Sequence, residues 1–213
     1  MKIICIATAL LSLTLAAPAF AAEAVQTPDT ESQASVLFEQ GSGFLAQGKY
    51  EEAEKAFAEA IALNQNYVEA YDSLGKVFVQ QQKYEKAVNE FTKALSLSSS
   101  DFTAYFYRAV AFYHLGKFEE VIRDLTEVIR LYPKNQAAYN LRGIAKFELG
   151  KIDEAISDYS KAIELNPGYA KAYNNRGTAY LRQGKTAEAA RDFAKSGKPK
   201  PGPTEQRQPD CSF

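Results

Sequence analysis

One pattern recurs every 34 residues, without insertion, in five consecutive blocks beginning at Ala34, Val68, Phe102, Gln136 and Ala170. With each block numbered from 1 to 34, the same chemistry falls in register. Position 8 reads Gly41, Gly75, Ala109, Gly143, Gly177; position 20 reads Ala53, Ala87, Val121, Ala155, Ala189; position 27 reads Ala60, Ala94, Val128, Ala162, Ser196. Position 4 carries Leu37, Tyr71, Tyr105, Tyr139 and Tyr173, and position 24 carries Phe57, Phe91, Leu125, Tyr159 and Phe193. Small residues at 8, 20 and 27 let two helix backbones approach closely, and bulky ones at 4, 11 and 24 fill the space beside them. Each block is therefore a helical hairpin. Its turn falls at position 15, where Gly48, Gly116, Gly150 and Gly184 suit the left-handed conformation at a helix C-terminus and only Gln82 departs. Pro133 and Pro167 at position 32 end the second helix.

A 34-residue period with these anchors resembles the tetratricopeptide repeat (TPR) family over about three quarters of the chain. Position 4 departs from the family in carrying Tyr or Leu where Trp is frequent. The resemblance implies an all-α fold, a right-handed α-solenoid of five antiparallel helix hairpins, with the first helices lining a concave groove. It also implies binding of proteins or peptides, and it brings no catalytic residue.

The repeats occupy 34–196, divided as 34–67, 68–101, 102–135, 136–169 and 170–196. Residues 1–21 have Lys2, an apolar run from Ile3 to Leu15 and a small-residue end at Ala19-Phe20-Ala21, and read as a secretory signal cleaved after Ala21. An uncleaved anchor is the rival, because Ile3 to Ala22 is uncharged and just long enough to span, but Pro18 and the alanine-rich second half make a poor membrane helix. After cleavage no membrane span is expected. Cys5 lies too close to Lys2 for a lipid-attachment signal. Residues 22–33 read as a flexible leader, and 197–213, with its prolines and glycines, as a disordered tail. The first repeat, with Gly41 and Gly43 inside its first helix, is expected to fray. At the other end Ala190 and Gly197 replace the Val, Ile and Leu of positions 21 and 28 in the middle repeats, as the last unit of a solenoid requires.

Removing residues 1–21 takes away Lys2 and no acid, leaving 24 Lys and Arg against 26 Asp and Glu. This near-neutral balance gives no basic face for nucleic acid. Cys211 is then the only cysteine, so no internal disulfide forms. It is either a spare thiol or the site of an intermolecular disulfide. His114 is the only histidine and has no partner set for metal or catalysis; it reads as a polar residue at the groove edge. No cofactor motif is present.

Two constellations stand out. Arg at position 7 and Asp at position 23 occur together as Arg108 with Asp124, Arg142 with Asp158 and Arg176 with Asp192, and are absent together from repeats one and two. A recurring bridge between the two helices is expected; the rival is an arginine ladder that reads anions. The second is the groove, at positions 2, 5, 9, 12 and 13. Phe106, Val110, Tyr113, Ile144, Phe147 and Leu181, with Asn140, Asn174, Lys171 and Arg182, form an apolar surface with a few amides. Such a surface suits a peptide with hydrophobic anchors. For position 12, packing against the neighbouring repeat is an equal reading. The amino-terminal half is more polar, with Glu69, Asp72, Lys76 and Gln80. A clamp for a C-terminal carboxylate is not supported, since of its required groove residues only Lys171 fits.

The expectation is a non-catalytic adaptor of the bacterial cell envelope, periplasmic or secreted, that holds a protein or peptide in the groove of repeats three to five. A structural protein that self-associates is the alternative.

Overall fold

A computed structural model describes residues 28–197. Ten α-helices and no strand occur among the described residues, in five hairpins: α1 (Pro28–Ala46) with α2 (Tyr50–Leu63), α3 (Val68–Gln80) with α4 (Tyr84–Leu97), α5 (Phe102–His114) with α6 (Phe118–Leu131), α7 (Gln136–Glu148) with α8 (Ile152–Leu165), and α9 (Ala170–Arg182) with α10 (Thr186–Ser196). Residues 28–33 are the first turns of α1 and not a flexible leader, a correction to the sequence reading. Asp29 and Glu31 stand in the first turn, where carboxylates favour a helix N-terminus. The signal segment, residues 22–27 of the leader, and residues 198–213 of the tail with Cys211 lie outside the described residues.

The turn inside each hairpin closes by the same pair of backbone bonds. In repeat one the Lys49 amide donates to the Phe44 carbonyl at 2.9 Å and the Gly48 amide to Leu45 at 3.0 Å. This geometry places position 15 in the left-handed region, at φ 70° to 75° for the four glycines and 59° for Gln82. A lysine follows at position 16 in every repeat, and none of the five caps its helix through its side chain. Instead Lys49, Lys83, Lys117 and Lys185 fold back over the position-11 rings, 5.7 to 6.0 Å from the centroids. Repeat four has Lys146 at position 11 in place of a ring, an exception to the bulky-residue rule. The first helices of repeats three and four are capped by side chains: Asp101 accepts from the Thr103 and Ala104 amides, and Asn135 from Ala138.

Position 8 sets how closely the helices of a hairpin approach. A Cβ on Gly41, Gly75, Gly143 or Gly177 would meet the ring of Phe57, Phe91, Tyr159 or Phe193 at 2.6 to 2.9 Å. Repeat three solves the same contact the other way, with Ala109 against the smaller Leu125. Gly41 is therefore a packing requirement, whereas a Cβ on Gly43 would meet nothing.

Successive hairpins stack through position 3, where Ala70, Ala104, Ala138 and Ala172 are all 0% exposed. First helices of adjacent repeats also approach one another directly, α1 with α3, α3 with α5 and α7 with α9, which places them on the inner side of the curve. The core runs through the whole array: Val79 and Tyr105 belong to the margins of both its amino-terminal and carboxy-terminal halves.

Candidate functional site

The structure divides the groove residues expected at positions 2, 5, 9, 12 and 13 of the first helices into two sets. Val110, Ile144 and Phe147 are core residues, at 4%, 0% and 4% exposure. They are corrected from ligand contacts to packing, because positions 9 and 12 point toward the first helix of the adjoining repeat as well as into the groove. Phe106, Tyr113, Lys171 and Leu181 are half-buried, and Arg182 is exposed with its guanidinium 5.6 Å from the Phe147 ring centroid. These side chains remain accessible.

Three asparagines of α7 and α9 are buried. Asn140 and Asn174 are each 3% exposed and Asn175, a residue the sequence reading passed over, is 0%. The Asn175 amide donates to Asn140 Oδ1 at 3.0 Å, which joins α9 to α7. Asn174 Oδ1 is buried without a hydrogen-bond donor. A buried carbonyl oxygen in that state retains an unused acceptor. Position 5 of the preceding repeats carries Phe106 and Asp72. The carboxyl of Asp72 is pushed up to about 7, first by burial, then by its hydrogen-bond contact with Asp101 and the charge of that residue; Lys76 opposes the shift and Glu69 adds to it.

His114 stacks on Tyr84 with centroids 4.4 Å apart and planes within 8°, and burial lowers its proton affinity. No group of three or more His, Cys, Asp or Glu among the described residues is placed to hold a metal ion.

The three Arg–Asp pairs lie between helices. Arg108 Nε and Nη2 donate to the two carboxylate oxygens of Asp124, both at 2.8 Å; Arg142 reaches Asp158 at 2.9 and 2.7 Å, and Arg176 reaches Asp192 at 2.7 and 2.9 Å. The Asp192 carboxylate, by its hydrogen bond, holds the Arg176 guanidinium above its usual range. A third contact was not read from the sequence. Nη1 of each arginine donates to a hydroxyl at position 25 of the preceding repeat, Thr92, Thr126 or Ser160, at 3.0 to 3.2 Å. The signal was present, since position 25 is Ala58 or Ala194 where no arginine follows. Arg108 also lies 5.5 Å from the Tyr105 centroid and 5.8 Å from that of Phe112. A hollow of about 580 Å³ opens beside it, lined by Arg108, Phe112, Ile122 and the mutually paired Glu120 and Arg123. With its charges satisfied inside the protein, this hollow presents no unpaired ion to a ligand.

Stacked hairpins around an inner groove define the class, a helical-repeat scaffold for protein interaction. The TPR repeat profile matches residues 41–82, 75–116 and 145–184, and the tetratricopeptide repeat profile matches 102–135. The chain belongs to the tetratricopeptide repeat family. No curated protein sequence matches it. Among solved structures, one crystal structure of MamA is 27% identical, with TM-score 0.71 over 73% of this chain and 91% of that one. Another is 25% identical, with TM-score 0.74 over 78% and 90%. YrrB, described as a TPR protein with an unusual peptide-binding site, is 21% identical with TM-score 0.70 over 79% and 87%, a likeness of fold. No helix among the described residues is long and apolar enough to cross a membrane.

Proposed function

We propose that this protein is a non-catalytic adaptor of the bacterial cell envelope that holds an extended protein segment in the groove of repeats three to five. The observation that carries the reading is the buried Asn174 Oδ1 without a donor, beside the Asn140–Asn175 pair. A peptide backbone N–H supplies the missing hydrogen bond, while Phe106, Tyr113 and Leu181 offer apolar contact and Lys171 and Arg182 favour an acidic neighbour. The apolar segment before Ala22 supports export, so the exported form starts at Ala22.

The test is capture from envelope extract on immobilised protein of residues 22–213, beside a Lys171→Glu/Asn174→Ala variant with unchanged helicity. Proteins held by the native form and lost by the variant are the expected result. Identical sets on both forms would overturn the groove reading. N-terminal sequencing of the exported chain checks the start at Ala22.

Self-association has one specific observation in its favour. Position 3, alanine at every internal junction, is Val36 in repeat one and is 55% exposed. It borders a hollow of about 300 Å³ shared with Ser32, Gln33, Leu37 and Leu63. Sedimentation velocity of native and Val36→Glu protein separates this reading: a concentration-dependent species lost in the variant supports it.

A further inference from the structure

The polar half of the groove contains an acidic site at the junction of repeats two and three. Asp72, on α3, is 7% exposed, and its Oδ1 is buried without a hydrogen-bond partner. Asp101 faces it from the α4–α5 link. One oxygen of Asp101 is committed to capping α5, accepting from Thr103 at 2.8 Å and Ala104 at 3.1 Å. Glu69, one turn before Asp72, adds negative charge. Lys76 opposes this charge, and its Nζ also stands over the Tyr107 ring, 5.3 Å from the centroid. The neighbouring helix α5 brings Phe106 and Tyr107, packed edge to face at 5.8 Å, to the same inner stretch.

Three carboxyl groups, one of them buried with a vacant acceptor, are chemically matched to a cation. We propose that Asp72 and Asp101 form a subsite for one cationic side chain, lysine or arginine, of the segment bound in the groove. This inference rests on the groove reading above. It gives the bound segment a direction: its basic residue lies toward repeat two, and its acidic neighbourhood toward Lys171 and Arg182 of repeat five. In the free protein Asp72 carries its proton to about pH 7. An ammonium or guanidinium beside the pair stabilises both carboxylates, so binding near neutral pH releases that proton to solvent.

The experiment uses protein of residues 22–213 and two end-capped undecapeptides, Ala-Leu-Lys-Leu-Ala-Leu-Ala-Leu-Ala-Leu-Ala and its norleucine counterpart, which at about 3.4 Å per extended residue are long enough to run from repeat two to repeat five. Carbon-detected NMR follows the Asp72 and Asp101 carboxyls, and the side-chain amides of Asn174 and Asn175 report groove occupancy. The lysine peptide is expected to drive the Asp72 carboxyl to its ionised shift at pH 6.5, and the norleucine peptide to leave it unchanged. Asp72→Asn and Asp101→Asn, the second of which keeps a helix-capping side chain, each weaken the lysine peptide about tenfold and spare the norleucine peptide. If the asparagine amides move while Asp72 does not, or if both peptides move Asp72 equally, or if the variants hold the lysine peptide as tightly as the native chain, the subsite is overturned and the groove stands. If neither peptide moves either set, both readings fall.

Discussion

Gln82 holds φ at 59° in the turn where the other four repeats carry glycine. A side chain in that region meets the following carbonyl, at about 1–2 kcal/mol, and glycine returns part of that as unfolded-state entropy. Gln82→Gly should therefore stabilise the protein by about 0.5–1 kcal/mol, read as a higher urea midpoint with unchanged slope. Asp72 sets a pH dependence. Its carboxyl titrates at about 7 in the folded protein against 3.8 ordinarily, so between those values the folded state binds the extra proton. Its contribution is full below pH 4 and is lost as pH rises through 7, by up to about 4 kcal/mol. His114, shifted down by burial, acts in the opposite direction, which makes the difference between native and Asp72→Asn protein the informative quantity. That difference should shift in favour of the variant as pH rises from 4 to 8. Gly143→Ala places a Cβ 2.6 Å from Tyr159 Cε1 and should cost about 1–3 kcal/mol. Adding Tyr159→Leu recreates the Ala109–Leu125 arrangement of repeat three, so the double variant should recover part of the loss in thermal unfolding.

Helices joined by Arg–Asp pairs differ in how many cations serve the buried acid. Asp192 is 4% exposed and its ion-pair partner is Arg176; Asp158, equally buried, is reached by Arg142 and also by Lys146 Nζ at 2.8 Å. Removing one arginine leaves an uncompensated carboxylate only in the first case. Arg176→Ala should cost about 3 kcal/mol and Arg142→Ala about half of that, measured by chemical denaturation. Repeat two has Leu74 and Glu90 at the corresponding positions, and burial raises the Glu90 carboxyl. Its hairpin is held by apolar packing, with Phe91 against Gly75. The 16-residue offset between Arg and Asp was legible because it recurs with the repeat. The hydroxyl of the preceding repeat and the lysine stacked on position 11 were harder to read, since each joins elements whose mutual orientation is a product of folding.

Across the array, stability follows neighbours. Among the described residues, internal hairpins are covered on both sides, while α1 with α2 and α9 with α10 pack against a neighbouring repeat on one side. Amide exchange should be slowest in α5 to α8 and fastest in α1, α2 and α10, because an end repeat opens without breaking the rest. The 34-residue register determined the hairpins, their turns, the small-to-large contacts at positions 8 and 24, and the direction of stacking, for these depend on residues close in sequence or repeated at a constant offset. The groove was legible only as a face. Val110, Ile144 and Phe147 lie on that face by helical periodicity and are nonetheless closed over, while Asn174 and Asp72 keep unmet acceptors below it. Burial at the inner face depends on how closely successive first helices approach. That distance is set by packing between repeats and is not encoded in the period of any one of them, so only the tertiary structure could separate the residues closed into the core from those left accessible.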